Sequence, residues 1–206
     1  MKKRILSLLL ILCMAVTLLP TAVFAEDATG KLIPAGGAKI GETVYQTLEA
    51  AVTAAASGDT IVLGEGNYTL YKVNSEGHTK GKDLTFVGQG ADKTGWNIGA
   101  EVPDPANFGT EYNGDYSFDG AGTVTFKNMT LRSGKADYLG FIRADKTVVE
   151  DCIINGKTFY WGYTSAEFTN TTFNCPSGDY AIWTYSSPTM TFDTHSRPWH
   201  CKTAWT

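Results

Sequence analysis

The chain has 206 residues, 43% hydrophobic and 12% aromatic, with 17 basic and 21 acidic side chains and a formal net charge of −4. An acidic balance gives no electrostatic reason to seek nucleic acid or an anionic membrane, so no nucleic-acid partner is expected. After the first residues no run of 18 apolar positions occurs, so no membrane insertion is expected once the leader is removed.

Residues 1–25 have the layout of an export signal. Lys2, Lys3 and Arg4 form the charged region, Ile5 to Leu19 the apolar one, and Val23-Phe24-Ala25 the cleavage region. Cleavage after Ala25 and a secreted or cell-surface location follow as expectations. Losing the three leader cations leaves 14 basic against 21 acidic side chains, a net charge of −7. Cys13 leaves with the leader, so Cys152, Cys175 and Cys201 can form at most one disulfide. Cys152 and Cys175 are read as small buried residues at strand positions rather than as a bridge.

A polar tail spans 26–37. Between 46 and 57, Leu48, Ala51, Val52 and Ala55 fall at helical spacing, and Ser57-Gly58 ends the pattern, which predicts one amphipathic helix. Asp59 to Leu63 and Leu84 to Val87 read as strands, closed by Gly64-Glu65-Gly66 and Gly88-Gln89-Gly90. Leu63 and Phe86 stand 23 residues apart, whereas 40 separate Phe86 from Phe126, so an insertion is expected over 92–122. It carries Trp96, Phe108, Tyr112 and Tyr116 among Gly, Asp, Asn and Pro. A loop of that length either serves a ligand or elaborates the surface.

From Thr123 onward one pattern returns four times: TVTFKNMTL, TVVEDCII, AEFTNTTF and TMTFDT. Each has an apolar anchor (Phe126, Val149, Phe168, Phe192) followed two places later by Asn128, Asp151, Asn170 or Thr194. In the first three, Leu131, Ile154 and Phe173 follow five places after the anchor, and the anchors are spaced 23, 19 and 24 residues apart. This period, dense in Val, Ile, Thr, Phe and Tyr, fits three short strands and three turns per repeat. The fold class is therefore all-β, a parallel β-helix solenoid with an N-terminal capping α-helix over its open end. The anchors should form one interior column. The Asn positions should form a turn ladder that tolerates left-handed backbone. Residues 195–206 lack alternation and any ladder residue, and are read as an atypical, truncated or out-of-frame tail. His195, His200 and Cys201 match no established metal spacing, so no metal site is expected.

The repeats, the opening GETVYQTLEAAVTAAASGDTIVLGEGNYTL and the following KDLTFVGQG resemble right-handed parallel β-helix proteins of the pectin-lyase and pectinesterase type. They also resemble large secreted surface proteins of Gram-positive gut bacteria. The resemblance covers 38–194 and implies a right-handed solenoid. It also implies a choice of chemistry. Lyases of this fold gather carboxylates around calcium and use Arg or Lys as base; esterases pair two aspartates beside an Arg.

The charged outer-face candidates are Asp137, Arg143 and Asp145, with Lys146 and Asp151, and Arg132 and Asp119 nearby. The segment CIINGKTFYWGYTSAEF resembles the esterase segment that carries an essential aspartate, but Phe159 stands at that place. The upstream Gln-Asp-Thr-Leu type motif is missing too, since Lys146-Thr147-Val148 runs straight into a strand. No acidic run recurs between repeats to support a lyase, and calcium enters only under that alternative. A different candidate is aromatic. Trp161 and Tyr163 recur as Trp183 and Tyr185, 22 residues later. Facing outward, the four make a platform for a sugar ring; facing inward, they are core. The expected function is a noncatalytic secreted or cell-surface module, an adhesin, stalk or carbohydrate binder without a cofactor. The alternative is a polysaccharide-active lyase or esterase, and a glycan or polysaccharide is the partner under either reading.

Overall fold

The computed structural model describes residues 24–26, 32–70, 78–98, 116–132, 138–175, 180–184, 188–196 and 202–205. Among the described residues the fold is mostly β, with one helix and three larger sheets built mainly from parallel strands. The first sheet orders Thr189–Phe192, Ser165–Thr169, Lys146–Glu150, Thr123–Lys127, Leu84–Val87 and Thr60–Leu63 side by side in parallel. An antiparallel hairpin, Ala38–Ile40 and Thr43–Tyr45, closes its far edge. The second sheet runs Thr172–Asn174, Ile153–Asn155, Thr130–Arg132, Thr94–Ile98 and Gly66–Leu70. The third runs Lys202–Trp205, Tyr180–Thr184, Lys157–Trp161, Tyr138–Ile142 and Tyr116–Ser117. The chain visits the sheets in rotation. Thr123–Lys127 leads to Thr130–Arg132, then to Tyr138–Ile142, and Lys146–Glu150 returns it to the first sheet.

Register turns the expected anchors into an interior column. Phe86 pairs with Phe126, Phe126 with Val149, Val149 with Phe168, and Phe168 with Phe192. Phe86 stacks on Phe126 at 5.8 Å, and Phe168 on Phe192 at 5.0 Å. Tyr68, Trp96, Leu131, Ile154 and Phe173 form a second row across the neighbouring sheet. Along the first-sheet strands the buried anchors alternate with half-exposed positions such as Thr125, Lys127, Val148 and Glu150, as the period of two requires. One expected partner shifts: Ile61, not Leu63, pairs with Phe86. Both residues are fully buried, so the parity is right and the register moves by two.

The turn ladder forms as its chemistry requires. Asn128, Asp151 and Asn170 have φ of 53°, 52° and 46°, which short polar side chains tolerate best after Gly. Asn170 Nδ2 donates to Asp151 Oδ1 at 2.6 Å. Thr194 does not continue the left-handed run; instead the Asp193 carboxylate accepts from the Asn170 N–H at 3.2 Å. Asn170→Ala is expected to cost about 1 kcal/mol for the hydrogen bond and about 1 more for Ala in left-handed backbone. Asn170→Gly should show only the first loss in urea melts.

Asp193 also gives the fold an acid limb. The Ser196 hydroxyl, helped by the Asn170 and Ser196 backbone N–H groups, pulls its carboxyl from 3.8 down to about 2. A depressed folded pKa contributes stability that is present above pH 3.8 and lost as pH falls through about 2. Asp193→Asn should flatten that part of the acid-unfolding curve, followed by circular dichroism between those pH values.

The helix spans Leu48–Ala54, shorter than the expected 46–57. Thr47 is its N-cap, accepting from the Ala50 N–H at 3.2 Å, and Ala55 already leaves it in extended backbone. Leu48, Ala51 and Val52 are buried in the same core as the strands. The expected 92–122 insertion is narrower, because both its ends are strands. Trp96 and Phe118 are fully buried beside Phe86 and Phe126. Phe108 and Tyr112 lie outside the described residues. Within the expected 195–206 tail, Lys202–Trp205 forms a strand that pairs in parallel with Tyr180–Thr184. The expected cleavage point after Ala25 falls within Phe24–Glu26, which pairs antiparallel with Leu32–Pro34.

The cysteines divide. Cys152 is a buried free thiol, pushed up to about 12 by burial. Cys175, expected to be unbridged, is disulfide-bonded, and its partner is not among the described residues. No helix among the described residues is long and apolar enough to cross a membrane.

Candidate functional site

Successive turns from the third sheet back to the first lie over one another. Asp145 N donates to Ala121 O, Tyr163 N to Ala144 O and Thr164 N to Asp145 O, each at 2.9 Å. Gly162 makes the last of these turns possible. Its φ is 132°, and a Cβ there would meet the Ser165 carbonyl oxygen at 2.4 Å. Trp161, just before it, therefore points inward while Tyr163, just after it, lies at the surface.

This stack joins residues from two separate groups of candidates. Tyr163 is 39% exposed. Arg143 Nε donates to the Tyr163 hydroxyl, which donates to Asp119 Oδ1 at 3.2 Å. Arg143 Nε also lies 3.3 Å from Asp119 Oδ1, and its guanidinium sits 5.3 Å from the Tyr163 ring centroid. Partial burial raises the Tyr163 pKa and Arg143 opposes the rise, so the hydroxyl stays protonated at neutral pH and keeps its donor role. On the adjacent turn Thr164 Oγ1 donates to Asp145 Oδ1. A cation, two carboxylates, a hydroxyl and an aromatic ring thus share one outward face. Such a face can stack on the apolar side of a sugar and exchange hydrogen bonds with its hydroxyls.

The remaining candidates disperse. Trp161 is fully buried, edge-on to Phe168 at 5.5 Å, so the four-residue aromatic platform is corrected at this member. The Trp183 side chain, Tyr185 and Asp137 lie outside the described residues. Lys146 pairs with Glu167 at 2.7 Å on the first sheet, Asp151 belongs to the turn ladder, and Arg132 lies on the second sheet. Among the described residues no group of three His, Cys, Asp or Glu is placed to hold a metal ion.

Thr164 was not among the sequence candidates. The 19-residue step from Val149 to Phe168 carries Asp145 onto Thr164 and Ala144 onto Tyr163, and that alignment was the available signal. Comparison with family models, curated proteins and solved structures gives no match.

Proposed function

We propose that this chain is a noncatalytic, exported β-helix module whose Asp119, Arg143 and Tyr163 face binds a glycan at a cell surface. The three-sheet rotation and the single Phe86 to Phe192 column support a right-handed solenoid. In it the Leu48–Ala54 helix covers the first apolar layer, while the Ala38–Tyr45 hairpin occupies the edge of Thr60–Leu63. The leader pattern of residues 1–25 supports export.

The observation that carries the binding role is the exposed Tyr163 ring, held by Arg143 and Asp119. Holding a flat aromatic in place lowers the ordering cost of stacking on it. The face is open rather than a cleft, so affinity is weak and useful chiefly through repeated presentation.

The noncatalytic part rests on Phe159, which stands where the esterase resemblance requires an aspartate. A phenyl ring offers neither a nucleophile nor a proton. Incubation with pectin or polygalacturonate, with and without calcium, should yield no unsaturated uronate by absorbance and no released methanol. Product above a blank made with an unrelated exported protein would overturn this half of the proposal. Loss of glycan binding on Tyr163→Ala, with the fold intact, tests the other half.

A further inference from the structure

The second sheet carries an outward polar row that places a cation where its amide ladder calls for an acceptor. Register aligns Asn97, Arg132, Asn155 and Asn174 on four neighbouring strands. At one end the row is an amide ladder, in which Asn174 Nδ2 donates to Asn155 Oδ1 at 3.0 Å. A member of such a ladder accepts at one edge and donates at the other. The position next to Asn155 should therefore hold an acceptor. It holds Arg132, a donor only.

Arg132 is also placed unusually. Its guanidinium packs against Gly95, where an added Cβ would meet Nη2 at 2.2 Å and the Asn67 Oδ1 at 2.8 Å. Its Nε is buried and has no hydrogen-bond partner. Lys93, Lys127, Arg143 and Lys146 each meet a carboxylate within 3.3 Å, but among the described residues none reaches Arg132. A buried charged donor without an acceptor is costly unless something supplies one.

We infer that Arg132 and Asn155 form an oxyanion subsite, shaped for a sulfate or phosphate ester carried on the bound glycan. The two donors come from adjacent strands, about 4.8 Å apart. A tetrahedral oxyanion spreads three acceptor oxygens and can bridge both, whereas a planar carboxylate serves the guanidinium alone. The ester identity rests on the glycan-binding proposal; the anion subsite itself does not.

Two arms keep these apart. In the first, inorganic sulfate and phosphate are titrated into the mature protein at low ionic strength. The Arg132 Nε–H and Asn155 amide resonances should shift with saturation, and both shifts should vanish in Arg132→Gln. Gly95→Ala should weaken the response by crowding the guanidinium, with the charge unchanged. In the second, glycans bearing a sulfate or phosphate ester should bind about tenfold more tightly than their neutral and uronate counterparts, a preference lost in Arg132→Gln. The Arg132→Gln melting temperature should not fall, since the substitution removes a buried donor that has no partner; a large fall would assign Arg132 a structural role and overturn the subsite. Absence of any anion-dependent shift would overturn it too. Anion shifts without glycan binding would sink the glycan reading and leave the subsite standing. A uronate preference equal to the sulfate one would overturn the tetrahedral assignment.

Discussion

Truncating Phe168 to Ala is expected to lower the unfolding free energy by about 3 to 5 kcal/mol. Phe168 is 1% exposed and meets Trp161 at 5.5 Å, Phe173 at 5.1 Å and Phe192 at 5.0 Å. It therefore joins three elements: its own sheet, the second sheet through Phe173, and the third through Trp161. Neighbouring repeats are fixed by backbone ladders on both sides of Ser165–Thr169, so the cavity cannot close by collapse. Urea melts should show a lower midpoint with a near-constant slope. A loss below about 1 kcal/mol, the size of a surface substitution, would refute the column.

Trp161→Ala should be similarly severe, about 3 to 5 kcal/mol, and the reason separates a core residue from a platform residue. The ring is fully buried and edge-on to Phe168. Its indole nitrogen is buried without a hydrogen-bond partner, so Trp161→Phe forfeits volume but no hydrogen bond. Its cost should therefore be well under half that of the alanine variant. Thermal melts read the order directly: wild type highest, Trp161→Phe intermediate, Trp161→Ala lowest. Equal melting of all three would return Trp161 to the surface.

Much of this architecture is legible in the sequence because a repeat forces register. Once Phe126, Val149, Phe168 and Phe192 share a spacing in the low twenties, stacking leaves little choice about which residues meet. Asn128, Asp151 and Asn170 were readable for a separate reason, since few other residues accept a left-handed turn.

The misreadings have physical causes. Ile61 and Leu63 share parity, so alternation cannot say which of them meets Phe86. The 92–122 stretch is rich in turn formers, and that composition hid Trp96 and Phe118, whose burial depends on partners far away in sequence. Trp161 and Tyr163 share strand parity, yet the turn at Gly162 sends them to opposite sides. The Cys175 disulfide depends on a three-dimensional approach that spacing does not encode.

The candidate site was half legible. Arg143 and Asp145 are charged outer-face candidates in the sequence, whereas Tyr163 is a candidate for sugar stacking. Only the stacking of three turns shows them as one face with Asp119.

The most direct measurement is a glycan array probed with multivalent protein, comparing wild type with Tyr163→Ala. Tyr163 is a surface residue, and its contact with Arg143 and Asp119 is the kind of exposed interaction worth about 1 kcal/mol or less. The variant should therefore keep its β-type circular dichroism and melt close to wild type while its array signals disappear. An array with no wild-type signal, or one unchanged by Tyr163→Ala, would contradict the proposal that this face binds glycans.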